Sequence, residues 1–291
     1  MKRIVFLLAT ALSLTACGKS EIPVANGSLS AKATIDVRTK VDYTDNGAGK
    51  GVKVDWSDTE SFKAYYGEDL NDSLIFSKSE AGTSFIAKNV PAGVGSETKF
   101  RGLYGEKASL DSDGKIKIDF TEQGGTLAGL SAFDVMTADS ELKDNLLSFA
   151  FKHKCAVLRL KCENHYETEI GKVRLKFFNA RISDEFSETG IINDGDYLTL
   201  EFKLTAPVAN VNSVQEKEKY RFAIVPAMSY SGAQSSTPAT STSNEVFDRE
   251  IHLENGRSIQ AGKVYDVTVT QKAPSNGLDN GKPILTPQSN K

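Results

Sequence analysis

The sequence predicts an all-β fold of two antiparallel β-sandwich domains behind an N-terminal export signal. Three observations predict it: apolar and polar residues alternate with period two in several separate runs, glycine- and asparagine-bearing turns stand between those runs, and the first residues pass from basic to apolar to a cysteine. The alternation recurs in 33–41, 51–56, 115–120, 173–177 and 197–204, and period two means a strand with one buried face. The intervening turns are Asp45-Asn-Gly47, Asp111-Ser-Asp-Gly114, Asn193-Asp-Gly195 and Glu254-Asn-Gly256. Each places glycine or asparagine where φ must be positive, so antiparallel hairpins are expected. Only 138–147 offers helical spacing, through Leu142 and Leu146, and it is short enough to be a loop.

The N-terminus opens with Lys2 and Arg3, continues apolar over 4–14, and ends in Leu14-Thr-Ala-Cys17, the order of a lipoprotein signal peptide. A membrane-spanning helix needs about 20 apolar residues, and Gly18, Lys19, Ser20 and Glu21 end the run too early. Cleavage is therefore expected between Ala16 and Cys17, with the freed Cys17 thiol carrying lipid. Each buried lipid methylene then contributes about 0.8 kcal/mol to anchoring. Gly18 after the cysteine, in place of aspartate, is similar to signals that send bacterial lipoproteins to the outer membrane.

The 291-residue chain carries 35 basic and 38 acidic residues, and two of the basic ones, Lys2 and Arg3, leave with the signal. Lysines are interleaved with acids, as in Glu216-Lys-Glu-Lys219, whereas a nucleic-acid binder shows a basic stripe. No nucleic-acid partner is expected. The length after cleavage suits two ordinary domains, divided as signal 1–16, tether 17–32, N-terminal sandwich 33–147, C-terminal sandwich 148–272 and polar tail 273–291. Cys155 and Cys162 fall on one apparent strand, roughly 20 Å apart at 3.3 Å per residue, too far for a disulfide. They read as buried thiols.

Within 149–162 the apolar positions change phase. Phe149 and Phe151 are odd, while Ala156, Leu158, Leu160 and Cys162 are even. A bulge near His153 that bends one strand from one sheet toward another explains the change. The Ser-, Thr- and Ala-rich stretch 229–244 is expected to be an exposed loop.

Nothing in the sequence points to catalysis. His153, His165 and His252 lie in no nucleophile elbow and no His-Glu-x-x-His motif. Cys162 and His165 are two ligands where a structural zinc normally takes four. Asp111-Ser-Asp-Gly114 lacks the later ligands of a calcium loop and reads as a hairpin turn. A non-enzymatic protein is expected, with no cofactor and no metal.

Several segments together resemble fimbrillin-like proteins, the type V pilus subunits and related lipoproteins of the Bacteroidales. They are Phe100-Arg-Gly-Leu-Tyr104, Gly114-Lys-Ile-Lys-Ile118 with Gln123, Phe133-Asp-Val-Met-Thr-Ala138, Phe149-Ala-Phe-Lys-His153, Ala156-Val-Leu158 and Ala261-Gly-Lys-Val-Tyr-Asp-Val-Thr-Val269. The resemblance spans most of the chain after the signal. It implies tandem transthyretin-like sandwiches, a lipid anchor in the outer membrane and cell-surface or fimbrial placement. It further implies an adhesive role as accessory, anchor or tip component, with other fimbrial subunits or a host or bacterial surface receptor as partners. In polymerising members an arginine- or lysine-specific protease removes the first strand and a neighbour's C-terminal strand fills the groove. Here Arg38 or Lys40 stands where that cut would fall. The tail fits a donor strand poorly, since it offers only Leu278, Ile284 and Leu285, interrupted by Pro283 and Pro287. The alternative expectation is a glycan-binding lipoprotein of a nutrient-uptake system, with Trp56, Tyr65, Tyr66, Tyr104 or Tyr230 stacking on sugar rings.

Overall fold

The computed structural model describes residues 27–35, 44–45, 52–53, 60–79, 84–95, 98–144, 146–195, 197–212, 220–232 and 245–271. Among the described residues the chain is all-β, without an α-helix. In chain order the first half holds β1 (Ser28–Ile35), β2 (Thr44–Asp45), β3 (Val52–Lys53), β4 (Ser61–Tyr66), β5 (Asp72–Lys78), β6 (Ser84–Lys88), β7 (Lys99–Tyr104), β8 (Ser109–Leu110), β9 (Ile116–Lys117), β10 (Met136–Glu141) and β11 (Leu146–His153). The second half holds β12 (Cys155–Asn164), β13 (Ile170–Phe178), β14 (Ala180–Ile182), β15 (Phe186–Glu188), β16 (Ile192–Asn193), β17 (Tyr197–Val208), β18 (Tyr220–Pro226), β19 (Met228–Tyr230), β20 (Phe247–His252), β21 (Ser258–Ile259) and β22 (Val264–Gln271).

The first core lies inside a closed ring of strands in the order β1-β11-β10-β7-β4-β5-β6. Its centre is aromatic. The Phe62 ring lies 5.2 Å from Phe76, 5.1 Å from Phe149 and 5.0 Å from Phe151, and such pairs add about 0.5–1.5 kcal/mol each beyond their burial. These rings leave no room above β7. A Cβ on Gly102 would stand 2.9 Å from Phe149 and 3.0 Å from Phe151, so glycine is required there by close packing.

The second core lies between the sheet β18-β12-β22 and the sheet β16-β17-β13-β20. Leu158, Leu160, Val267 and Val269 of the first sheet share one apolar cluster with Val173, Leu175, Leu200 and Phe202 of the second. This arrangement fits a β-sandwich. Cys155 and Cys162 are buried and form no disulfide, as their spacing requires. The strands expected at 173–177 and 197–204 fall inside β13 and β17, and they pair in antiparallel register from Lys172–Lys203 to Phe178–Tyr197.

Several sequence expectations change. The pairing is not purely antiparallel, because β1 runs parallel to β11, β12 to β22, β13 to β20 and β9 to β15. Turn signals specify only strands that follow one another, and these four pairs join strands that meet across the fold. β1 starts at Ser28, inside the stretch expected as tether, because serine and alanine between Leu29 and Ile35 mask the alternation. The expected helical turn or loop at 138–147 is a β10–β11 hairpin. It contains a positive φ of 51° at Asp144 and mutual backbone hydrogen bonds between Lys143 and Leu146. The expected single strand over 149–162 is two strands broken at Lys154, so the phase change marks an actual passage from the ring to the second core. Only Ile116–Lys117 of the strand expected at 115–120 is extended pairing; Phe120–Glu122 forms a 3-10 turn instead. Ser229 and Tyr230, expected in an exposed loop, pair with β14.

One segment of the first half is built into the second core. Ile116 N–H donates to Glu185 O, Ile118 N–H to Glu188 O and Phe120 N–H to Thr189 O. Residues Gln123 to Gly125 then lie between β17 and β18. Gly124 O accepts from Thr205 N at 2.8 Å and Gly125 O from Phe222 N at 2.9 Å. The buried Gln123 side chain accepts from Ile224 N at 2.7 Å and donates to Ile224 O at 3.1 Å. It therefore supplies the edge of β18 with the partner a neighbouring strand would give. A Cβ on Gly125, at φ 74°, would sit 2.5 Å from Leu204 Cδ2. Replacing Gln123 with Ala leaves the Ile224 N–H buried without an acceptor, a loss of about 1–3 kcal/mol, to be read as a lowered urea midpoint. Glu188→Ala, on the exposed strand nearby, should change stability by no more than about 0.5 kcal/mol.

Candidate functional site

The candidate site is the seat of β1. In this strand Leu29 and Ala31 point inward and are almost wholly buried, Ser28, Ser30 and Lys32 point outward, and Ala33 and Ile35 are half-buried. One edge pairs antiparallel with β6 from Ser28–Lys88 to Lys32–Ser84. The other pairs parallel with β11 from Ser30–Leu146 to Ile35–Phe151. Small residues suit the seat. Ala31 stands opposite Phe85 and Ala33 opposite Phe149, and both rings belong to the aromatic core.

Because β6 and β11 meet only through β1, the ring is closed by this single strand. Taking it away would leave two facing edges of backbone N–H and C=O groups above an apolar floor that includes Phe85, Phe149 and Leu147. Such an opening is costly until another strand fills it. Arg38 and Lys40 follow β1 directly in sequence but lie outside the described residues, as do Ala16, Cys17 and Trp56. The cut expected at Arg38 would fall after the last described residue of β1.

The other edge of β11 leads to the passage between the two cores. His153 Nδ1 lies 2.9 Å from Asp134 Oδ1, and both side chains are buried. Burial works against a charge on His153, yet the charge of Asp134 and its hydrogen bond together hold the imidazole above the ordinary histidine range. Lys154 N–H donates to Val135 O and Lys154 O accepts from Ala227 N, while its Nζ lies 2.7 Å from Glu185. The neighbouring Cys155 thiol is held well above its usual range by burial, with Asp134 adding to the effect. It is a packing group rather than a nucleophile.

Other residues singled out in the sequence fall elsewhere. Asp111 Oδ1 accepts from Asp113 N and Lys115 N, which makes Asp111-Ser-Asp-Gly114 the tip of the β8–β9 hairpin. Tyr65 and Tyr104 are core residues, so neither offers a face for stacking on a sugar, and burial next to Glu60 pushes the Tyr104 hydroxyl far above its usual range. His252 stacks on Phe178 with centroids 4.5 Å apart. Sequence reasoning missed Asp134 as the partner of His153, since nothing in Phe133-Asp-Val marks it as buried.

No protein-family model matches the chain, and no curated protein matches it in sequence. Among solved structures it is similar to a proposed cell adhesion protein from Bacteroides ovatus, with 12% identity, a TM-score of 0.40, and coverage of 91% of this chain and 97% of that one. A proposed cell adhesion protein from Bacteroides uniformis has 15% identity and a TM-score of 0.37 over 85% of this chain and 94% of that chain. A fimbrial protein from Bacteroides ovatus has 12% identity and a TM-score of 0.33, with 86% of this chain matching 51% of that one.

Two outcomes are expected of this region. Gly102→Ala forces a methyl into the Phe149 and Phe151 rings and should cost about 1–3 kcal/mol, read by denaturant unfolding. For His153 the folded pKa is raised, so the stability it contributes is complete below the unfolded value of about 6.5 and is lost as pH rises through the folded value. The difference in urea midpoint between the native protein and Asp134→Asn should therefore shrink as pH rises from 5.5 to 8.5.

Proposed function

We propose that this chain is a fimbrillin-like lipoprotein of the outer membrane, exposed at the cell surface, that acts in adhesion as an accessory, anchor or tip component of a fimbria. On this reading the ring and the second core belong to tandem transthyretin-like sandwiches, and the protein works by binding, not catalysis. The observation that carries the reading is β1: one short strand, with Leu29 its single large fully buried side chain, alone joins β6 to β11. The sequence around it supports the same conclusion. A lipobox ending at Cys17 precedes the strand, and Arg38 and Lys40 follow it.

Anchoring and polymerisation make opposite demands on this segment. Lipid on Cys17 and β1 share one covalent piece, so a cut at Arg38 frees the body from the membrane and opens the seat at once. The proline-interrupted tail favours the uncut, anchored form, with other fimbrial subunits or a surface receptor as partners.

Mass spectrometry of the protein recovered from native outer membranes tests the proposal. The expected N-terminus is acylated Cys17. A chain starting at Thr39 or Val41 without lipid would move the role to a polymerising subunit, and an unacylated chain recovered only from the periplasm would overturn the surface assignment altogether.

A further inference from the structure

The β10–β11 hairpin is closed at both ends and open in the middle. At its base Met136 pairs with His153 and Thr137 with Lys152. At its tip Lys143 bridges Leu146 in the continuation of that register. Between these points the backbone ladder lapses, and the Ser140 hydroxyl accepts from Ser148 N–H at 2.9 Å in its place. Beside this gap lies a cleft of about 590 Å³, within the roughly 300–1,000 Å³ range of small-molecule sites.

The cleft is lined on the β7 side by Lys99 and Arg101, on the β10 side by Asp139, Ser140 and Glu141, and at the hairpin tip by Lys143, with Leu70 and Leu146 as apolar surface. Leu70 holds a left-handed backbone, φ 52°, of the kind that clusters around ligand sites. The two acids face the two β7 bases across the ladder, Asp139 opposite Arg101 and Glu141 opposite Lys99, and Lys143 is a third cation at the tip. The nearer pair is loose: Arg101 Nη1 stands 3.8 Å from an Asp139 carboxylate that is 79% exposed. Arg101 Nε is buried and has no hydrogen-bond partner. The Arg101 side chain as a whole is 29% exposed, so beside an excess cation it can offer its donors to an anionic acceptor. The carboxylates and the Ser140 hydroxyl can in turn accept from, or donate to, a ligand rich in hydroxyls.

We propose that this cleft binds a carboxylate-bearing saccharide of one or two sugar units, with its acid group at Arg101 and Lys143 and its hydroxyls at Asp139, Glu141 and Ser140. The cleft shares β11 with the β1 seat, since Leu146 and Ser148 line it and pair with Ser30 and Lys32, but the proposed ligand contacts come from β7, β10 and the hairpin tip.

The test is isothermal titration of the full mature protein in detergent micelles with a glucuronic-acid disaccharide, its neutral glucose counterpart, and an acidic tripeptide as probes. The acidic disaccharide should bind at least tenfold more tightly than the neutral one. Arg101→Gln should weaken it tenfold or more, and the exposed Lys143→Gln several-fold with an unchanged melting temperature. Equal binding of the acidic and neutral sugars, no binding at millimolar concentration, or unaltered binding by both variants overturns the proposal. Binding of the tripeptide with none of the disaccharide overturns the ligand class.

Discussion

Backbone pairing at β1 is the constraint on which the first half of the molecule depends. Every other neighbour in the ring is joined to the next by strands that lie close in sequence or by the β7–β10 and β4–β7 ladders, while β6, paired on its far side with β5, and β11, paired on its far side with β10, come together only through β1. A strand in this position has two rows of hydrogen bonds to make and little side-chain volume with which to hold itself in place. Leu29 is the one large residue it buries fully. Its retention therefore rests more on the ladder than on packing. That combination suits a segment meant to be held firmly but replaceably, because any strand with small alternating side chains could satisfy the same edges.

The second half is held together differently. There β12 is buried on both faces over most of its length, β22 and β18 flank it, and the segment from Ile116 to Gly125 is inserted from the first half as a further edge. Gln123 acts through its side-chain amide, which pairs with both backbone groups of Ile224. Arg159 is buried under the Tyr220 ring at 3.5 Å and paired with Asp266, which secures β12 to both of its neighbours by side chains as well as backbone. Opening of the ring at β1 would thus leave the second core, the Lys154 passage and the inserted segment intact.

What the sequence disclosed follows from the range of each signal. Period two and turn glycines are local, so β13, β17 and the hairpin tips at Gly114 and Gly195 were legible, whereas the turn at Gly256 joins β20 and β21, which pair in different sheets. The phase change at His153 was also legible, because burial on different faces leaves a trace in the residues themselves. The parallel partners of β1, β12 and β13 were not, since register between distant strands is decided by three-dimensional packing rather than by neighbours in the chain. The same holds at the candidate sites. Leu29 and Ala31 are too sparse an alternation to announce a strand, Asp134 gives no sign that it will meet His153, and Arg101 and Asp139 become neighbours only when β7 and β10 align. Placements that depend on near neighbours in the chain were legible; those that depend on a distant partner's position were not.

The place of β1 in the chain also decides how a membrane anchor would act on the fold. A lipid on Cys17 would pull on Ser28 from outside the ring, and that pull would reach the body first through the ladders to β6 and β11, before it reached the covalent chain beyond Ile35. Load along β1 would be carried by the hydrogen bonds of both ladders together, so on the proposed reading the edges that would accept a replacement strand after cleavage would also hold β1 before it. On the reading proposed above, the same strand would serve an anchored protein and an assembling one, and the choice between them would fall to the peptide bonds at Arg38 and Lys40 rather than to any change in the ring.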